Sequence, residues 1–147
     1  MKVLKSARVF LFVLLTLAPC FAHHMAVVVS KDNTVDGVTS VNLSKIFKAE
    51  SKKWPDGRNI VLVLHQQSPS ELATLERLNK VTEPEWKAFI ASHKDGVYFA
   101  VSDADVLRLV GTIPGAIGLV EVRSINDKVK VLKVDGKLPL EEGYLPH

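Results

Sequence analysis

The chain is poor in several things that would each define a class. Among its 147 residues there is one cysteine, Cys20, so no disulfide can form within the chain and a hydrophobic core must hold the fold. No stripe of Lys and Arg interleaves with aromatic side chains, which make up 7% of the chain, and this removes nucleic acid as an expected partner. No apolar run reaches the about 20 residues that a membrane-spanning helix requires. There is no Gly-x-Ser-x-Gly elbow and no glycine-rich phosphate loop of the nucleotide-binding type. The histidines at 23, 24, 65, 93 and 147 lack the spacing of metal ligands. Neither an enzyme, nor a metal site, nor a bound cofactor is expected.

An excess of one charge is missing too, once the first residues are set apart. Three of the 19 basic groups, Lys2, Lys5 and Arg8, and none of the 16 acidic groups fall within residues 1–22, which leaves the rest of the chain balanced. Those first residues have a basic start, an apolar run from Val9 to Ala18, and Pro19-Cys20-Phe21-Ala22 before His23. This is the layout of a secretory signal peptide over residues 1–22, with cleavage after the small Ala22 and an exported domain over residues 23–147. Lipidation at Cys20 is the competing reading, and Pro19 immediately before that cysteine argues against it. Cleavage after Ala22 leaves a mature chain without cysteine.

The remainder is even in composition and free of repeats, so it reads as one compact unit. Met25 to Val29 is a continuous apolar run, as expected of a strand buried on both faces, and Asn59 to Leu64 is a second. Ser40 is placed to cap a helix whose apolar stripe is Leu43, Ile46 and Phe47. Trp54-Pro55-Asp56-Gly57 is turn chemistry. Ser68 or Ser70 can cap a helix carrying Leu72, Leu75 and Leu78, and Thr82-Glu83-Pro84-Glu85 forms a capping box before a helix burying Trp86, Phe89 and Ile90. A further helix runs from Ser102 or Asp103 through Val110. Ala116 to Val122 and Val129 to Val134 complete the strands, the latter with lysines alternating as on an edge. Strands alternating with helices predict an α/β fold, a mixed or mostly parallel sheet built at Ala26, Ile60, Ala116 and Val129, with helices on both faces.

Five stretches in this order resemble one known family. They are Val27 to Asn33, Leu43 to Lys48, Lys53 to Val61, Ser102 to Leu107, and Thr112 to Val120, the last carrying Pro114-Gly115-Ala116-Ile117-Gly118. Together they are similar to the phosphate-binding proteins of bacterial ABC importers. The resemblance implies a single lobe of the type 2 periplasmic binding protein fold, periplasmic localisation, phosphate or a similar small oxyanion as ligand, and a transporter or other envelope protein as partner. It also implies that the ligand loop follows the strand ending at Leu64, which here reads His65-Gln66-Gln67-Ser68-Pro69-Ser70-Glu71. The family carries an arginine and a run of serine, glycine and threonine in that loop, and this sequence keeps hydroxyls only at Ser68 and Ser70.

The candidate ligand residues are therefore Ser68, Ser70, Gln67 and His65, at the start of a helix whose free amides favour an oxyanion. Each has an ordinary structural reading as well. The serines suit helix caps, His65 suits a hydrogen-bonded strand end, and the glutamines suit exposed loop positions. Glu71 places negative charge beside the site. Two functions from different classes stay open: a module that binds phosphate weakly as part of phosphate ABC transport, and a periplasmic interaction or scaffold protein that keeps the lobe without the ligand. Self-association across a two-fold axis is the route by which a lone lobe could gain a second half-site.

Overall fold

The computed structural model describes residues 24–146. The signal segment expected at residues 1–22, with Cys20 and the expected cleavage after Ala22, lies outside the described residues. Strand β1 (Met25–Ser30) is buried along its whole length, as its unbroken apolar run predicts. It lies inside a five-stranded sheet with β3 (Val61–Leu64), β4 (Val97–Phe99), β5 (Ala116–Glu121) and β6 (Val129–Val131), in the order β4-β3-β5-β1-β6. β4, β3 and β5 run parallel, while β1 is antiparallel to both β5 and β6. The sheet is mixed, with β1 as the one reversed strand.

Alternation along the central strands divides the core in two. Val27, Val29, Leu62, Leu64, Ile117 and Leu119 point to one face, where helices α1 (Ser40–Phe47), α2 (Pro69–Asn79) and α3 (Glu83–Ser92) cover them. Val28, Val63, Ala116 and Val120 point to the other, under α4 (Asp103–Thr112) with Val106 and Val110. Both faces carry helix, as expected. A third of the expected stripe on α3 differs in degree: Trp86 and Ile90 are buried, while Phe89 is only half-buried and stacks on Trp86 at 5.0 Å.

Gly118 lies under α4, where an added Cβ would stand 2.8 Å from Val106 Cγ1 and 3.2 Å from Val110 Cγ2. Gly115 has φ +77, and a Cβ there would meet the Asn59 carbonyl oxygen at 2.1 Å. Both glycines are thus required by packing or backbone angle, and the start of β5 closes tightly on the turn before β3. Trp54 helps to lock this junction, its indole N–H donating to the Gly115 carbonyl at 2.9 Å. It is a buried packing residue.

Three local expectations are corrected. The cap of α1 is Thr39, whose Oγ1 accepts from the Asn42 amide, because the Ser40 amide is already bound to Asp135 Oδ1 at 2.9 Å and Ser40 has entered the helix. The run Val129 to Val134 is divided: β6 pairs with β1, and β7 (Lys133–Val134) pairs in parallel with β2 (Gly37–Val38). Where β1 and β6 part, the Tyr144 hydroxyl bridges them, accepting from the Val27 amide at 3.1 Å and donating to the Leu132 carbonyl at 2.6 Å. Burial pushes that phenol up to about 12, so it remains a donor at any ordinary pH. Finally, β4 is a strand that the pattern left unassigned; it is three residues long, with Tyr98 and Phe99 exposed on a sheet edge.

Candidate functional site

The parallel strands β3, β4 and β5 bring three loops to their carboxyl ends, at residues 65–68, 100–102 and 122–124. This is where an open α/β sheet places a ligand. The first loop is held by its own chemistry. Ser68 caps α2, its Oγ accepting from the Glu71 amide at 3.2 Å, and the Ser68 amide donates to the His65 carbonyl at 3.0 Å, closing a turn. Pro69 occupies the first helical turn, where a missing N–H costs nothing. The amides of Gln67 and Ser70 meet no internal acceptor among the described residues.

Glu71 occupies the crook between strand and helix. It is 2% exposed, and its Oε2 accepts from the His65 amide at 2.6 Å. Burial pushes its carboxyl up to about 8; the His65 amide opposes that shift, and the negative charge of Asp103 adds to it. Its second oxygen, Oε1, is buried without a hydrogen-bond partner. The His65 ring is held beside α4, with Nδ1 3.6 Å from Asp103 Oδ1, too long for a hydrogen bond. Asp103 in turn accepts from the Glu121 amide at 3.0 Å and the Ser124 hydroxyl at 2.7 Å, tying the first turn of α4 to the end of β5.

The four residues singled out in the sequence lie along one segment but do not face one cavity. His65 lines a pocket of about 230 Å³ between the strand end and helices α2 and α3, together with Glu71 and Trp86. Ser70 lines a different cavity, of about 420 Å³, with Met25, Arg77 and Tyr144. Ser68 is buried beneath the cap it forms, and Gln67 is exposed. The larger hollow of about 690 Å³, beside Trp54 and β2, lies at the start of β3 and away from these loops. What the sequence alone did not reveal is the inward turn of Glu71. Its position three residues after Ser68 suggests a capping box, and only the closed turn at Ser68 explains why the carboxyl reaches His65 instead.

No group of three or more His, Cys, Asp or Glu able to hold a metal ion occurs among the described residues, and no helix there is long and apolar enough to cross a membrane. No protein-family model matches the chain, and no curated protein matches it. Solved structures do match. An ABC-type phosphate transport receptor from Vibrio cholerae superposes with a TM-score of 0.65 at 20% identity, covering 79% of this chain and 48% of its own. PstS from Borrelia burgdorferi gives 0.64 at 19% identity, over 79% of this chain and 49% of its own. A phosphate-binding protein from Stenotrophomonas maltophilia gives 0.62 at 16% identity, over 80% and 40%. The chain spans about half the length of the structures it matches. Its fold is that of one lobe of a phosphate-transport receptor of the substrate-binding-protein type.

Proposed function

We propose that this chain is an exported, periplasmic substrate-binding-protein-like module that takes phosphate or a similar oxyanion weakly on the His65 to Ser70 loop, in the service of phosphate ABC transport. The observation that carries this reading is the fold match to phosphate-transport receptors. The uncapped amides of Gln67 and Ser70 at the start of α2 support it, since they offer donors and the positive end of a helix dipole to an anion. No catalytic step is proposed.

The affinity follows from the contacts. Two or three charge-assisted hydrogen bonds of about 1.5–3 kcal/mol each, less the cost of ordering the ion and loop, leave a net near −4 kcal/mol, or a dissociation constant of about 1 mM. Glu71 sets the pH dependence. As its carboxyl ionises with rising pH, a negative charge appears beside the anion, so binding weakens toward pH 8 and above. Sulfate, whose charge is constant in this range, is the clean probe, with phosphate beside it. Calorimetric titration at low and high protein concentration is expected to show millimolar binding, weakened by Ser68→Ala, with a gain at high concentration if two lobes associate. Affinity untouched by Ser68→Ala and Ser70→Ala together would defeat the site.

A second reading has its own support. Glu71 already occupies the His65 amide with an internal carboxyl, and β4 leaves Tyr98 and Phe99 exposed on an unpaired edge. Both favour an envelope interaction or scaffold protein that keeps the lobe without the ligand. Absence of any anion binding would select it.

A further inference from the structure

We propose that the pocket between α2 and α3, with Glu71 in its wall, binds a small organic ammonium ion with an apolar body. The pocket shares His65 and Gln66 with the start of the proposed oxyanion loop, but it takes the opposite charge and does not use the free amides of Gln67 and Ser70, so an amine and an anion test the two readings separately. Its volume is about 230 Å³. A cavity of about 150 Å³ already admits benzene, so this one holds a ring with a short polar arm. Leu64, Leu72, Trp86 and Ile90 supply apolar walls.

The polar requirement is set by one atom. Glu71 lines the pocket; its Oε1 is buried with no donor among the described residues, while Oε2 is satisfied by the His65 amide. A buried acceptor of this kind is costly unless a ligand or a proton completes it. An ammonium group brings both the missing N–H and the charge that keeps the carboxylate ionised. Trp86 beside it adds an aromatic wall of the sort that cations favour.

The surrounding charges agree. Lys87 lines the rim, but its ammonium sits 2.8 Å from Glu83 Oε1 on the outer surface of α3 and is 70% exposed. Asp103 presents its negative charge to Glu71 from the α4 side, which opposes a second negative charge there and favours a cation beside the pair. His65 is the other titratable group in the wall, and its Nδ1 faces Asp103. Among the described residues no cation is hydrogen-bonded to Glu71, and an anionic ligand would meet an acid in the pocket wall.

The test uses the purified chain with benzylammonium chloride as probe and benzyl alcohol as its uncharged counterpart of the same shape, followed by the two indole N–H signals in NMR. Trp86 lines the pocket and Trp54 lies elsewhere, bound to Gly115, so each molecule contains its own control. Benzylammonium is expected to shift the Trp86 signal saturably while Trp54 stays still, with benzyl alcohol weaker by about tenfold or more, the scale of one charge-assisted hydrogen bond. Glu71→Gln should remove that preference for the amine. Leu72→Trp, which adds bulk to the pocket lining while keeping Glu71 itself, should abolish binding of both probes. Equal binding of amine and alcohol to the unaltered chain, movement of both indoles or of neither, or an undiminished preference in Glu71→Gln would each overturn the proposal. The comparison of the two probes on the unaltered chain stands even if a variant does not fold.

Discussion

Helices α2 and α3 start from nearly the same local text and reach opposite electrostatic ends. Each opens with a hydroxyl cap, has a proline in the first turn, and places a glutamate three residues after the cap: Ser68, Pro69 and Glu71 in one, Thr82, Pro84 and Glu85 in the other. In α3 the glutamate turns back to its own cap, Oε2 accepting from the Thr82 amide at 2.9 Å, and the pair remains exposed. In α2 the cap amide is already spent on the His65 carbonyl, so the glutamate reaches past it to the His65 amide and is buried at the end of β3. One is a helix-starting device. The other has become a buried acid at the mouth of the fold, which shows that a capping pattern fixes where a helix begins and leaves the fate of its carboxylate to the neighbours.

The largest effect should come from pH. The Glu71 carboxyl is raised from its ordinary 4.5 to about 8, so between those values the folded state holds a proton that the unfolded state has released. Stability from this group is full below pH 4.5 and is lost as pH rises through 8, a loss on the order of a few kcal/mol. Denaturant unfolding of the unaltered chain across that window is expected to show this decline, and Glu71→Gln should flatten it. Glu85→Gln should leave the profile as it was. If the two variants behave alike, the contrast between the helices is wrong.

Cap removal gives the next effect. Ser68→Ala strips the buried Glu71 amide of its acceptor and should cost about 1–2 kcal/mol, whereas Thr82→Ala releases the exposed Glu85 amide to water and should cost about 0.5–1 kcal/mol. Equal losses in the two midpoints would show that burial does not separate the caps. The smallest effect is expected from Glu85→Gln at neutral pH, within about 0.5 kcal/mol, since a neutral amide oxygen can still accept from Thr82. A sharper check of the same contrast lies in Tyr144→Phe, whose hydroxyl is bonded to neither helix cap nor to Glu71. It orphans the buried Val27 amide and Leu132 carbonyl, costs about 1–3 kcal/mol, and should leave the pH profile of Glu71 unchanged.

Much of the fold was legible because its signals are local. The apolar runs at β1, β3 and β5, the caps at Ser68, Thr82 and Ser102, and the edge character of Lys130 next to Val129 and Val131 all follow from short windows of sequence. Strand β4 was not legible, since three residues are too few for a periodic pattern and two of them face solvent. The break at Leu132 was hidden for a different reason. At Val131-Leu132 the apolar residues pass from one face of the sheet to the other as the pairing partner changes from β1 to β2, and this adjacent apolar pair, the one local trace of the change, reads equally as a strand buried on both faces.

The same division holds at the site. By itself the sequence determined that a capped helix follows a buried strand at residues 64–71, that hydroxyls stand at Ser68 and Ser70, and that an acid lies close by. Those are consequences of residue type and of spacing along one segment. Only the tertiary structure decided that Ser70 faces one cavity and His65 another, that Asp103 arrives from α4 to act on Glu71, and that Trp86 and Ile90 of α3 enclose the carboxyl. The physical reason is that the charge state of a buried acid depends on the dielectric and the donors around it. The one donor, the His65 amide, is local, but the apolar cover from α3 and the charge of Asp103 on α4 come from segments remote in sequence from the residue they govern.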